Sequence, residues 1–340
     1  MRVLVTGGAG FIGSHVVRFH LDRSDEVVVV DDLSTGSEDN LAAARGEASG
    51  GDLRFENAAI EDWPGLDDAV ASADRIYHLA AVVGVFRVLD DPLSVLRTNL
   101  AGTHRLLEAI ERSDSKPQTV VASSSEVYGP HYECALREDL PLTVESTGDP
   151  RWAYAVTKLA DETLALTHAR VGGWPLVVVR LFNTTGPRQA GEYGMVVPRF
   201  VRQAVAGEPI TVYGDGGQRR CFCDVRDVVE ALDRLAAEPG AQGQVVNVGS
   251  DVEVSMLDLA AMVRRRSASR SEIIHVPYAE AYKGVGGFRD FAVRRPDLGR
   301  LRSLTGLEPR FTLEQTLDEM IARQRANLEQ GVEPMRAAGD

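Results

Sequence analysis

Residues 2–17 read RVLVTGGAGFIGSHVV. An apolar run of strand length, Arg2–Thr6, enters a turn carrying Gly7, Gly8, Gly10 and Gly13, and an amphipathic helix follows at once. Glycine permits the tight turn, lets the backbone approach a pyrophosphate and packs the helix against its strand. The helix start then offers free N–H groups to an anion. A glycine-rich turn alone is a weak signal, but a strand before it and a helix after it supply the context of a dinucleotide site. The next strand, Glu26–Asp31, ends in Asp31 and Asp32, about 20 residues from the glycines, where a carboxylate accepts from ribose hydroxyls and repels a 2′-phosphate. The expected cofactor is therefore NAD rather than NADP.

Working outward, apolar runs of strand length alternate with helical stretches. Strands are expected at Arg54–Phe55, Arg75–Leu79, Thr119–Ser123, Leu176–Phe182 and Gln244–Val248, with helices at Ile12–Leu21, Pro92–Glu111 and Ala153–Arg170. The runs VVVV (27–30), TVVA (119–122) and PLVVVR (175–180) are apolar on both faces, as parallel strands covered by helices on two sides require. The fold class is α/β: a Rossmann-type doubly wound parallel sheet with a smaller, discontinuous C-terminal α/β lobe. Residues 1–183 plus about 224–250 are assigned to the nucleotide-binding domain. About 184–223 plus 251–340, where glycine, proline and arginine become dense, are assigned to the substrate lobe.

Composition narrows the function. With 340 residues the chain buries a real core. A formal net charge of −13 argues against a nucleic-acid partner, which needs a basic face. No apolar run approaches the roughly 20 residues of a membrane span, and the first residues do not read as a cleavable leader. No membrane association and cytoplasmic residence are expected. The three cysteines, Cys134, Cys221 and Cys223, have no histidine at ligand spacing; they read as small apolar fillers, with no metal site.

A second signal is Tyr154-x-x-x-Lys158 at a helix start, with Ser123-Ser124-Ser125 closing an earlier strand. A phenol with a pKa of about 10 is a poor base at neutral pH. A lysine one helical turn away, together with a positive nicotinamide, is expected to lower that pKa. Tyr154 would then take a hydroxyl proton while a hydride leaves the same carbon. Alone, this spacing is common by chance.

TGGAGFIG, Asp31, HLAA (78–81), Asn99 with Gly102-Thr103, SSSEVYG (123–129) and YAVTK (154–158) together resemble the extended short-chain dehydrogenase/reductases. These are the NAD-dependent nucleotide-sugar epimerases, dehydratases and decarboxylases. The resemblance runs over nearly the whole chain and implies a UDP-sugar substrate and a homodimer. It implies cofactor contacts from Gly7, Gly10, Phe11, Ile12, Gly13, Asp31, Asp32, Ser34, Thr35, Gly36, Ile60, Leu79, Ala80, Ala81 and Asn99, besides Tyr154 and Lys158. At Ala59-Ile60 the family often carries an Asp that bonds the adenine, so backbone contacts are expected to hold that base. RLFNTTGPRQ (180–189), VVPRF (196–200) and TVYGDGGQRR (211–220) resemble the segments that hold nucleotide and diphosphate. Ser125, Asn183, Arg188, Val197, Arg199, Tyr213 and Arg220 are the substrate candidates, the arginines because their planar forks pair phosphate oxygens bidentately.

The same resemblance sets oxidation at the sugar C4 as the first step and leaves three continuations. Dehydratases resemble S-T-D-E-V-Y-G; here Ser125 stands at the Asp, which disfavours loss of water. Glu126, RWAYAVTK (151–158), RCFCDVRD (220–227) and VRRPDLGR (293–300) are closest to the UDP-glucuronate decarboxylases, or UDP-xylose synthases. In them a glutamate and an arginine act near C5, and these correspond to Glu126 and Arg294. The segment AAVVGVFRVLDDP (80–92) is instead closer to the 4-epimerases. The expected function is UDP-glucuronate decarboxylation to a UDP-4-keto-pentose or UDP-xylose, with Tyr154, Lys158, Ser124, Glu126 and Arg294 as the catalytic set. A UDP-hexose or UDP-hexuronate 4-epimerase is the alternative. A catalytically inactive NAD-binding sensor or scaffold is a reading of another class.

Overall fold

Valine-rich strands that are apolar on both faces must be covered on both faces, and that requirement organises the chain. The structure is a computed structural model that describes residues 1–130, 134–191, 194–282 and 292–329. The first half runs β1 (Arg2–Thr6), α1 (Phe11–Leu21), β2 (Glu26–Asp31), α2 (Glu38–Glu47), β3 (Asp52–Asn57), α3 (Leu66–Ser72), β4 (Arg75–His78), α4 (Val85–Asp90), α5 (Pro92–Arg112) and β5 (Gln118–Ser124). After a short 3-10 turn at Ser125–Tyr128 come α6 (Ala153–Gly172) and β6 (Leu176–Leu181). The chain then passes through β7 (Thr184–Thr185), α7 (Val196–Ala206), β8 (Ile210–Tyr213), β9 (Arg219–Cys221), β10 (Cys223–Asp224), α8 (Val225–Ala237) and β11 (Val245–Val248). It ends with β12 (Glu253–Ser255), α9 (Met256–Arg266), β13 (Ile273–Val276), α10 (Tyr278–Ala281), β14 (Val293–Arg294), α11 (Gly299–Thr305) and α12 (Leu313–Glu329).

Seven strands form the main sheet in the order β11-β6-β5-β4-β1-β2-β3, and each neighbouring pair is parallel. One core, with Val5, Val17, Val29 and Leu232, lies on one face. A second, with Leu4, Ile76, Leu107 and Val178, lies on the other. The chain reverses its direction of travel across the sheet between β1 and β4, and the crevice outside the carboxyl ends of the strands at such a point is where ligands bind.

Short strands flank this sheet: β10 with β7, β12-β9-β14, and β13 with β8. A third core, with Val197, Phe200, Leu259, Leu317 and Met320, joins α7, α9 and α12. The stretch after residue 251 does not all gather around that core. Leu298 and Leu301 join the core under the main sheet, and α11 packs on α8 and β11. Residues 283–291 and 330–340, which the sequence reading placed in the second lobe, lie outside the described residues. Among the described residues no helix is long and apolar enough to cross a membrane.

Candidate active site

The carboxyl ends of β1, β2, β4, β5 and β6 open onto a cleft of about 1050 Å³ whose opposite side comes from the later segments. That is at the top of the roughly 300–1,000 Å³ of ordinary ligand sites, room suited to two nucleotide-sized molecules.

At one end the glycine turn is fixed by space as much as by conformation. Gly7 has φ +73° and a side chain there would meet Ala80 N at 2.7 Å; one at Gly13 would meet Gly7 O at 2.1 Å. The N-cap of α1 is Gly10, with no side chain capping the helix, so its first N–H groups face the cleft as an anion site does. Asp31 Oδ2 accepts the Ala9 N–H and Oδ1 the Leu33 N–H, both at 2.9 Å. Burial pushes its carboxyl above the usual range, against these hydrogen bonds. Asp32 accepts the Ser34 N–H. Phe11, Ile12, Ser34, Thr35, Ile60, Leu79, Ala80 and Ala81 line the same end. A bare helix start, a turn that admits no side chain and a carboxylate one strand away fit the pyrophosphate and ribose of NAD.

Two expected cofactor contacts lie behind the wall. Asn99 is 2% exposed; its amide accepts from Val82 N and donates to Val82 O and Thr157 Oγ1. It supports the segment after β4 rather than facing the cleft. Gly36 packs on Ala9, where a side chain would meet the backbone at 2.9 Å.

In the middle of the cleft, β5 delivers Ser124 and the first turns of α6 deliver Tyr154 and Lys158. Strand and helix are pinned by a buried network: Ser123 Oγ donates to Glu162 Oε1 at 2.5 Å, and Arg180 grips both Glu162 oxygens at 2.9 and 2.8 Å. The Ser124 hydroxyl lies beside Tyr154, where it favours the phenolate, and Lys158 Nζ lies 6.0 Å from the Tyr154 ring centroid. The expected acidic phenol is not what the protein groups alone produce. Burial pushes the Tyr154 phenol up; Lys158 opposes this, Glu126 and Asp161 add to the rise, and Ser124 opposes it. Much of the lysine charge is answered by Asp161, 0% exposed, whose Oδ2 accepts from Lys158 Nζ at 3.0 Å. Burial lowers the Lys158 pKa, but Asp161 and Tyr154 outweigh it and the ammonium is held above its ordinary value. Asp161 Oδ1 has no partner among the described residues. The sequence reading did not single out Asp161.

At the far end, Glu126 follows Ser124 in the 3-10 turn, its N–H donating to Ser124 Oγ. Arg294 Nη1 donates to Glu126 Oε1 at 2.7 Å. Burial by itself would raise the Glu126 carboxyl, but Arg294, with Arg151 and Arg220 adding, holds it below the usual range. Strand register explains the cluster, because β14 pairs with β9 so that Arg294 lies opposite Arg220. The two are 8% and 7% exposed.

Ser125, Asn183, Val197, Arg199 and Tyr213 line this end as well. The Arg199 guanidinium lies 3.7 Å from the centre of the Tyr213 ring. Its Nε and Nη1 are buried without a partner among the described residues, and burial lowers its pKa. Arg188 goes elsewhere. With φ +71° it turns onto α1, where Nη2 meets His15 Nδ1 at 2.8 Å and Nη1 reaches Asn40 O. Burial first, then Arg188, pushes His15 down to about 3, so it is neutral. Arg188 thus sits toward the cofactor end. Arg151 and the aromatic group of Phe86, Tyr278 and Tyr282, which also face the cleft, were not among the sequence candidates. Nothing in their local spacing marked them.

A doubly wound sheet whose glycine turn faces a Ser–Tyr–Lys set across one cleft defines a dinucleotide-dependent enzyme that moves hydride to and from a bound alcohol. The chain belongs to the NAD dependent epimerase/dehydratase family, whose model matches residues 3–249. It is 36% identical over 321 residues to a UDP-N-acetyl-alpha-D-glucosaminuronate decarboxylase of Bacillus cytotoxicus, covering 94% of this chain and 96% of that one. UDP-glucuronic acid decarboxylase 4 of Arabidopsis thaliana is 34% identical over 334 residues, 96% of this chain and 69% of that one. Among solved structures, the UDP-glucuronic acid 4-epimerase of Bacillus cereus with UDP-glucuronic acid and NAD superposes with TM-score 0.83 at 26% identity, covering 96% and 99% of the two chains. A dTDP-glucose 4,6-dehydratase of Streptomyces venezuelae with NAD bound gives TM-score 0.85 at 28% identity, covering 99% and 100%. The protein is an NAD-dependent nucleotide-sugar enzyme of the decarboxylase/epimerase group in the extended short-chain dehydrogenase/reductases.

Proposed function

We propose that this enzyme decarboxylates a UDP-hexuronate, with UDP-glucuronate as the first substrate to test. The observation that carries the reading is the Glu126–Arg294 ion pair on the cleft wall next to Tyr154. A guanidinium already bonded to one carboxylate suits the carboxylate of a uronate. The decarboxylase names of the two relatives add support.

In this reading, the glycine turn and Asp31 would hold NAD, which would supply the acceptor for the C4 hydride and the means of returning it. Tyr154, as phenolate, removes the C4 hydroxyl proton, with Ser124 bonded to its oxygen and Lys158 stabilising the charge. The C4 ketone makes the uronate a β-keto acid. Its C5–C6 bond breaks, CO₂ departs, and the electron pair moves to the C4 oxygen, held by the hydroxyls of Tyr154 and Ser124. The proton for C5 comes from solvent, relayed through a water that the Glu126 carboxylate orients. Arg294 orients the departing carboxylate, while Asn183 and Arg220 hold the diphosphate. General acid–base steps of this kind each contribute about 10²–10⁴-fold.

The test is incubation with UDP-glucuronate and NAD, following CO₂ release and product mass, with the 2-acetamido uronate run in parallel because of the Bacillus relative's name. A product lighter by one CO₂ supports the reading. An isomer of unchanged mass overturns it in favour of a UDP-hexuronate 4-epimerase. That second reading is favoured by the AAVVGVF segment (80–86) and by the likeness to the Bacillus cereus epimerase.

A further inference from the structure

Beyond Asp31 the cofactor end narrows to a slot between β2, the connection after β3, and α5. Val30, Ala58, Ala59 and Ile60 give it apolar sides. Gly102 on α5 keeps it narrow: a side chain there would meet Ile60 Cγ2 at 2.9 Å. Polar groups also reach this surface, Thr98 of α5 and Glu61 among them. Glu61 lines the cleft, and its Oε2 is buried with no hydrogen-bond partner among the described residues.

A buried carboxylate oxygen without a donor is costly, about 1–3 kcal/mol or more when charged, so native proteins rarely leave one unsatisfied without a reason. The occupant this surface suits is flat and apolar-faced with an N–H donor at its rim. That describes an aminopurine. The Ala59 side chain offers no acceptor to such a group. We propose that Glu61 reads the 6-amino group of the NAD adenine, so the base is recognised by a side chain and not by backbone contacts alone. The carboxylate accepts one amino hydrogen through Oε2. The same oxygen repels a 6-oxo group, so Glu61 selects adenine against hypoxanthine by attraction and repulsion together.

The experiment is an equilibrium competition in which the full chain is incubated with NAD and nicotinamide hypoxanthine dinucleotide, and the bound fraction of each is quantified. Other contacts that tell the two bases apart, such as a backbone N–H at N1, act equally in wild type and variant, so comparing the two proteins isolates Glu61. Glu61→Ala is expected to reduce the preference for NAD by about tenfold or more, the size of a hydrogen bond to a charged group, while UDP affinity stays unchanged. Glu61→Gln, which preserves the side-chain shape and can turn its NH₂ toward a 6-oxo group, is expected to reduce the preference too. It serves alone if the alanine variant does not fold. An unchanged preference in the variant, whatever the absolute affinities do, overturns the proposal. The readout is cofactor binding, so it is independent of whether the enzyme decarboxylates or epimerises its sugar.

Discussion

The two ends of the cleft are built by different means. The cofactor end is built from backbone: N–H groups at the start of α1, a turn with no room for side chains, and a carboxylate that braces the turn through Ala9 and Leu33. The substrate end is built from charged side chains brought together by distant strands, with Arg220 and Arg294 on adjacent strands and Glu126 between them and Tyr154. Backbone recognition tolerates almost no change but is indifferent to what stands elsewhere in the sequence. Side-chain recognition can be retuned one residue at a time, which suits a family that keeps its cofactor and varies its sugar.

Substitutions can break this contrast or sharpen it. The largest effect is expected at the seam between the two ends: Tyr154→Phe should lower turnover by about 10²–10⁴-fold with both NAD and UDP-sugar affinities kept, measured by stopped-flow NADH absorbance and by titration. If NAD affinity fell in step with turnover, the seam would belong to the cofactor end. Next comes Glu162→Ala, which leaves Arg180 buried without its carboxylate partner. It should cost about 3–5 kcal/mol of stability in denaturant unfolding, because it unpins α6 from β5. Arg220→Ala should weaken UDP-sugar binding by about 10–100-fold, as expected for a lost charge-assisted contact to phosphate, and leave NAD binding alone. An equal loss of NAD affinity would show that the two ends are not separable.

The smallest effect concerns pH. The Asp161 carboxylate helps to raise the Tyr154 phenol, so Asp161→Asn should move the rising, acid-side limb of the kcat/KM profile to lower pH. Asparagine keeps the shape and a hydrogen-bond acceptor, so Lys158 should stay in place and the loss in kcat at the optimum should be modest. A limb that stays where it is would reduce Asp161 to a brace for the lysine.

Much of the cofactor end was legible in the amino-acid sequence, because its constraints are local. The positive φ of Gly7 and the contact of Gly13 with Gly7 O both act within one turn, and the strand and helix around them declare themselves by pattern. Six of the seven main strands fell within one residue of their expected ends; Arg54–Phe55 grew by two at each end, to Asp52–Asn57, by pairing along β2. The residues that no local pattern settles are those whose surroundings come from elsewhere in the chain. Asn99 is consumed by Val82, and Arg188 turns back onto α1. Asp161, three residues after Lys158, has the spacing of an ordinary helix acid until α6 is laid against the sheet. The Tyr154 phenol was expected to be lowered by Lys158 together with a positive nicotinamide; the protein groups alone leave it raised, burial and two carboxylates outweighing the lysine. Glu126 and Arg294 could be paired only through resemblance, since nothing in a linear pattern joins residues so far apart.

That separation bears on how the enzyme comes into being. The pair is 168 positions apart along the chain, and Arg294 lies on a strand held at the edge of β9. A ribosome making the chain from its amino end completes the glycine turn and Glu126 well before it reaches Arg294. Over the intervening synthesis, the nascent chain carries the glycine turn and Glu126 but lacks the guanidinium that pairs with that carboxylate.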